Sequence, residues 1–169
     1  MNSNTFCKSL RTLGAAGALA AVLTASAVSS RAAAWSGIEP LKSRRADVAR
    51  LLGKPLEDKP GQTGTLRFKV AGGSVTVAFI DARFVTAHKL DPSLEGTVRQ
   101  IVLQHENASD TPESLKLTSD SVFVRESRGN VATFRNQRDG VGYTFIDGRL
   151  RTTNYTAASA LLARAQVKG

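Results

Sequence analysis

Two short runs on either side of Ala71-Gly72-Gly73 restrict the fold more than any other feature of the chain. From Thr65 to Val70 the residues alternate, with Leu66, Phe68 and Val70 on one side and Thr65, Arg67 and Lys69 on the other. From Ser74 to Ile80 they alternate again, with Val75, Val77 and Phe79 on one side. A period of two sends neighbouring side chains to opposite faces of a strand, and Gly-Gly between two such runs signals a hairpin. Thr97 to His105, rich in β-branched residues, reads as a third strand.

The same grammar recurs after a polar joint at Asn107 to Thr118. Ser119 to Glu126 is ambiguous between strand and other structure. Asn130 to Arg135 reads as a strand, Gln137-Arg138-Asp139-Gly140 as a turn, and Val141, Tyr143 and Phe145 alternate in the next strand. Asp147-Gly148 is a second tight turn before a last strand, Arg149 to Tyr155. Ala157 to Val167 reads as a terminal helix with Leu161 and Leu162 on its apolar face.

Ahead of the first hairpin lies Gly37 to Pro55, read as one short helix. Ser43 is the expected N-cap, and Asp47 places negative charge near the N-terminal end of the dipole. Val48, Leu51 and Leu52 recur at helical spacing, Gly53 supplies a left-handed C′ position and Pro55 stops the helix. Glu57 to Gly64, polar and carrying Pro60 and Gly61, reads as a loop. A helix of about ten residues is unstable alone, so its stripe must pack on a sheet. Together these elements predict an α+β fold: an antiparallel sheet with short helices on one face, in two α-β-β-β repeats spanning 35–106 and 107–156, followed by a helix at 157–168.

The first 34 residues read as a secretory signal rather than as fold. Lys8 and Arg11 form a basic start, Leu13 to Val28 is an apolar or small run of about 16 residues, and Ala32 and Ala34 give a small-x-small cleavage pattern. Cleavage after Ala34 leaves Trp35 first; Ala25 and Ala27 offer a second site after Ala27. The single cysteine, Cys7, precedes the apolar run, so the pattern is not that of a lipoprotein. Removal of Cys7 with the signal would leave a chain without thiols, disulfides or cysteine-bound metals. The exported part, from Trp35 on, has 135 residues, one domain by length, destined for the periplasm or the exterior. The signal carries three basic residues and no acid, leaving +6 of the formal +9 charge on the exported part.

That excess of positive charge favours an anionic partner. Two clusters carry it: Arg44, Arg45 and Arg50 on the first helix, and Arg125, Arg128, Arg135 and Arg138 around the second hairpin. These seven are the candidate anionic contact surface. The aromatic residues fall on strand alternation as core positions, and an exported chain meets little nucleic acid, so no nucleic-acid partner is expected. No catalytic, cofactor-binding or metal-binding set can be assembled. His88 near Asp91 and His105 beside Glu106 give the only neighbourhoods for acid–base chemistry, and a metal needs three or four converging ligands. The reading is a non-enzymatic binding or assembly module of the cell envelope, contacting an envelope protein or an anionic envelope component, with peripheral membrane contact in view. A small hydrolase using Asp, Glu and His, and an electrostatic binder of anionic lipid or glycan, are the alternatives.

The stretch LKSRRADVARLLGKP resembles the opening of the SmpA/OmlA-like domain of outer-membrane assembly lipoproteins, with Val48, Leu51, Leu52, Gly53 and Pro55 on its pattern. That resemblance implies the β-lactamase-inhibitor-like fold of two α-β repeats. The chain is also similar to a family of small exported bacterial proteins of unknown function. The likeness runs through Trp35 to Leu41, Ser43 to Val48, Thr97-Val98 and Gly140 to Tyr143. It implies an address and a fold, and no reaction. Members of that family often carry a Cys-Gly segment and a tryptophan between the second and third strands; Asp81 to Glu95 has neither, and is the place to look for what is particular to this protein.

Overall fold

The computed structural model describes residues 33–59 and 64–167. The signal-like segment up to residue 32, and Pro60 and Gly61 of the expected loop, lie outside the described residues. Eight strands form one antiparallel sheet: β1 (Glu57–Lys59), β2 (Thr65–Val70), β3 (Gly73–Phe79), β4 (Val98–His105), β5 (Val124–Arg128), β6 (Val131–Asn136), β7 (Val141–Ile146) and β8 (Arg149–Thr156). Their order across the sheet is β1-β2-β3-β4-β8-β7-β6-β5. The helices are α1 (Arg45–Leu52), α2 (Ala82–His88) and α3 (Ser159–Arg164), with a single 3₁₀ turn at Pro92–Leu94.

This architecture overturns the α+β class with two repeats. The protein is mainly β, and the halves differ in plan. The second half opens in a string of turns, where a repeat would need a helix, and contributes four strands. The reason lies in Thr111 to Val122. Thr111 N–H donates to Ser114 Oγ at 3.0 Å, Ser114 N–H to Thr111 Oγ1 at 3.2 Å, and Val122 N–H to Asp120 Oδ1 at 3.0 Å. The reciprocal Thr111–Ser114 pair starts one turn, with Leu115 N–H on the Thr111 carbonyl at 3.2 Å, and Lys116 at φ 56° breaks any continuation into a helix. β1 is a strand that its three polar residues conceal; its Glu and Asp keep the sheet edge charged.

The helix at the front forms, with a different start. Arg44 takes the N-cap position, and its N–H donates to Asp47 Oδ2 at 3.0 Å. The Ser43 hydroxyl instead accepts from Glu39 N–H at 3.0 Å, and the residue is buried. Val48 is fully buried, Leu52 packs at the margin of the core, and Leu51 stays 42% exposed. The contacting stripe is therefore narrower than its spacing implied.

Both hydrophobic clusters lie on one face of the sheet. Under β2, β3 and β4, Leu66, Phe68, Val75, Val77, Phe79 and Ile101 meet Ile38 and Val48. Under β6, β7 and β8, Phe134, Phe145 and Leu150 meet Leu117, with Ala108, Leu115 and Phe123 beside them. Phe134 and Phe145 stack edge to face with centroids 5.7 Å apart. Leu150 reaches this face because the β7–β8 register shifts between Thr144 and Phe145, pairing Phe145 with Leu150 directly after Thr144 with Thr152. Without that bulge Leu150 would share a face with Thr152.

Turns close as their residues require. Asp147 and Gly148 both have positive φ, 51° and 72°, as a type I′ hairpin turn needs. Gly73 serves a different purpose: a Cβ there would run into the Gln104 carbonyl of β4. The glycine lets β4 close against the hairpin. Gly73→Ala is therefore expected to cost about 2–4 kcal/mol in urea unfolding, whereas Gly129→Ala, with open space around its φ 58° turn position, should cost about 1 kcal/mol.

His105 ends β4, with its Nε2 2.9 Å from Thr153 Oγ1 on β8. Burial lowers its pKa below the ordinary value of 6.5, with Asp110 opposing. Protonation is thus easier in the unfolded chain. The stability contributed by the neutral ring is complete above about pH 6.5 and is lost as pH falls through the lowered folded value. Asp47, Asp91 and Asp139, whose pKa values are held below 3.8, are lost only in a more acid window. The urea midpoint should fall between pH 7.5 and pH 5, and His105→Gln should remove most of that difference.

Candidate functional site

The alternation that puts apolar residues into the two clusters sends a second set to the opposite face. The register across β4, β8, β7 and β6 aligns Gln100 with Thr156, Val102 with Asn154, Gly142 with Asn154 and Arg135, and Thr144 with Thr152 and Thr133. These side chains line a groove of about 230 Å³ together with Gln137 and Gly140. Its floor is low at Gly142, where a strand side chain is missing.

The groove is built for hydrogen bonding. Gln100 Nε2 donates to Asn154 Oδ1 at 2.8 Å, fixing both amides across the β4–β8 ladder and leaving one N–H₂ and one C=O free to turn outward. The hydroxyls of Thr133, Thr144 and Thr152 each offer one donor and accepting lone pairs, while Thr156 Oγ1 donates to the Gly140 carbonyl at 3.4 Å and keeps only its accepting side. Arg135, the one charged residue lining the groove, is neutralised by Glu126, with Nη1 2.9 Å from Oε2. At the rim, Asn136 accepts from Asp139 N–H at 3.1 Å and donates to its carboxylate at 2.7 Å, holding the β6–β7 turn. A Cβ on Gly140 would meet the Thr156 carbonyl, so that turn sits tight against the end of β8.

The seven candidate arginines are not brought together. α1 packs under the β2–β4 half, while β6 and β5 form the far edge, four and five strand spacings from β3, or about 19 and 24 Å. Arg44 donates to the carbonyls of Ser93 and Glu95 at 2.8 and 3.0 Å, fastening the loop after α2. Arg45 pairs with Asp58 at 2.8 Å and lies 4.7 Å over the Phe79 ring. Arg50 pairs with Asp47 and Arg138 with Asp139, both at 3.2 Å. Arg125 covers the Phe134 ring at 5.7 Å and donates to Ser127 Oγ. Arg128 is exposed on the outermost strand. Exposed pairs such as these each contribute little, about 0–1 kcal/mol.

The two histidine neighbourhoods also separate. His105 and His88 lie toward opposite ends of β4, since the turns after α2 lead directly into its first residue. Glu106 is taken by Lys69 Nζ at 2.6 Å, and Asp91 caps the 3₁₀ turn by accepting from Ser93 N–H at 2.8 Å. His88 stacks on Phe84 with centroids 4.1 Å apart. Among the described residues no group of three or more His, Cys, Asp or Glu side chains converges as a metal site.

The groove escaped sequence reading because its members are ordinary outward-facing polar residues of four separate strands. Only the run Thr152, Asn154 and Thr156 carries a local signal, three hydrogen-bonding side chains on one face of one strand.

No family model and no curated protein matches the chain. The likeness of α1 to the SmpA/OmlA-like opening thus stays a resemblance of that motif. Among solved structures, the chain is similar to YjgB, a DUF4309 family protein from Bacillus subtilis subsp. subtilis str. 168, with a TM-score of 0.50 and 14% identity over 75% of this chain and 87% of that one. An extracellular protein containing an SCP domain from Bacillus anthracis str. Ames matches with a TM-score of 0.39 and 10% identity, over 71% of this chain and 45% of that one. The second likeness is too loose to add to the fold. The first places the sheet architecture among those of small bacterial proteins, of which a DUF4309 member is one.

Proposed function

We propose that the chain is an exported, non-enzymatic binding module of the cell envelope, and that it holds a neutral glycan in the groove across β4, β8, β7 and β6. The observation that carries this reading is the lining itself: fixed amides at Gln100 and Asn154, hydroxyls at Thr133, Thr144, Thr152 and Thr156, and an arginine already neutralised by Glu126. Ligand sites take their orientation from a few placed polar groups, and this set matches a partner that carries both hydroxyls and amides, such as an N-acetylated amino sugar. The signal pattern at the N-terminus supports the address. The scattered, internally paired arginines support a groove reading over an electrostatic one.

Gly142 supplies a clean test. A Cβ there would sit 3.6 Å from the Phe134 carbonyl and 3.8 Å from Arg135 Cγ, ordinary contacts, and a valine suits a strand. Gly142→Val should fill the floor, keep the unfolding midpoint at or above the native value, and weaken binding of N-acetylated chitotetraose at least tenfold in a calorimetric titration. Equal binding by the variant and the native chain, or no saturable binding by the native chain, would count against the groove.

A further inference from the structure

A second concavity meets the end of the groove and has different chemistry. It encloses about 320 Å³ and is lined by Leu41, Phe84, Ala157 and Leu162 with Arg99, Gln100 and Thr156. Gln100 and Thr156 belong to both hollows. The volume is at the lower end of small-molecule sites, about 300–1,000 Å³.

Three elements build it. Asp81 caps α2 by accepting from Phe84 N–H at 2.7 Å, which places Phe84 on the first turn. Asp91 N–H donates to the Ala165 carbonyl and Val167 N–H to the Lys89 carbonyl, at 3.0 and 2.8 Å. These bonds lock the end of α2 to the end of α3 and bring Leu162 opposite Phe84. Arg99 enters from β4, where the register with β3 shifts between Ala78 and Phe79 and leaves Arg99 without a β3 partner.

Arg99 is the informative residue. It is half-buried, and its guanidinium lies 5.2 Å from the Phe84 ring centroid. Each of the seven candidate contact arginines, apart from Arg128, has a carboxylate, carbonyl or hydroxyl partner. Among the described residues Arg99 has no ion pair or hydrogen bond of its side chain; its one partner is the ring. The Asp81 carboxylate is occupied with the α2 cap. A guanidinium whose N–H groups have no protein partner can match a carboxylate bidentately.

We infer that this cleft binds a small amphipathic carboxylate, with its apolar body between Phe84 and Leu162 and its carboxylate on Arg99. Charge complementarity decides the headgroup, and the apolar walls decide the body. Gln100 stands at the junction, where the second N–H of its Nε2 offers a further donor to the same oxygens; the Thr156 hydroxyl already donates to the Gly140 carbonyl at 3.4 Å.

The test is a titration of the full chain with hexanoate, octanoate and decanoate below micelle formation, followed by amide and side-chain NMR shifts. Saturable binding centred on Phe84, Arg99 and Leu162 is expected, tightening by up to about fourfold per added methylene until the cleft is full. Decanol, with the same body and no charge, should bind at least tenfold more weakly than decanoate. Arg99→Gln should lower decanoate affinity at least tenfold and leave decanol unchanged. Leu162→Glu, a substitution on a partly exposed helix position, should abolish decanoate binding through like charge and serves if Arg99→Gln does not fold. Equal binding of decanoate and decanol, retention of decanoate by a folded Arg99→Gln or Leu162→Glu variant, or no saturable binding by the native chain would each overturn the inference. Chitotetraose binding unaffected by Arg99→Gln would show that Arg99 serves the cleft and not the groove, so that failure of one reading is distinguishable from failure of the other.

Discussion

The pairing of β4 with β8 is the constraint on which the rest of the structure depends. It joins the last strand of one meander to the last strand of another over Gln100 to Gln104 and Thr152 to Thr156. Without it there would be two separate four-stranded sheets, each with a small cluster under one face. With it the two clusters lie under one sheet, and Tyr155 near one end of β8 packs at the margin of the first while Leu150 near the other end serves the second. His105 and Thr153 stitch the same seam from the covered side, and Gln100 and Asn154 from the open side. The seam forms one side of the groove, where Gln100 of one meander stands beside Asn154 and Thr156 of the other.

The two faces carry separate duties. One is committed to burial, where the fully buried Phe68, Phe134 and Phe145 dominate by volume. The other is left with amides, hydroxyls and paired ions. A sheet with one covered and one wet face is the common antiparallel solution, and alternation is its direct consequence. The departures from alternation are the informative places. The bulge at Thr144/Phe145 returns Leu150 to the core, and the irregularity at Ala78/Phe79 frees Arg99 to leave the ladder and line the cleft.

Positive charge is plentiful, and among the described residues six of the seven candidate contact arginines are engaged locally. Arg44 fastens a loop, Arg45 and Arg125 cover aromatic rings, and Arg50, Arg135 and Arg138 each face a carboxylate. Long basic side chains often protect apolar surface with their stems and heads together. Counting arginines by sequence neighbourhood therefore overstates the field available to a partner. The burial environment of a single one, Arg99, says more than the net charge does.

Local pattern determined a good deal of this protein. The hairpin around Ala71-Gly72-Gly73, the tight turn at Asp147-Gly148, the strand before His105 and the helix ending at Gly53 are all legible, because each depends on neighbours within a few residues. α2 was also within reach, since Asp81 stands three residues before Phe84 as a helix cap should, though its seven residues are too few to show a helical stripe. The α+β class was not, because Thr111 to Val122 closes into successive turns, broken by Lys116 at φ 56°, where a repeat would need a helix. Tertiary structure alone decided which strands meet. β4 and β8 are some fifty residues apart, and no local preference reports a pairing at that distance; burial of one continuous apolar face does. That pairing decides where Gln100, Asn154 and Thr156 stand, and hence where the candidate sites are.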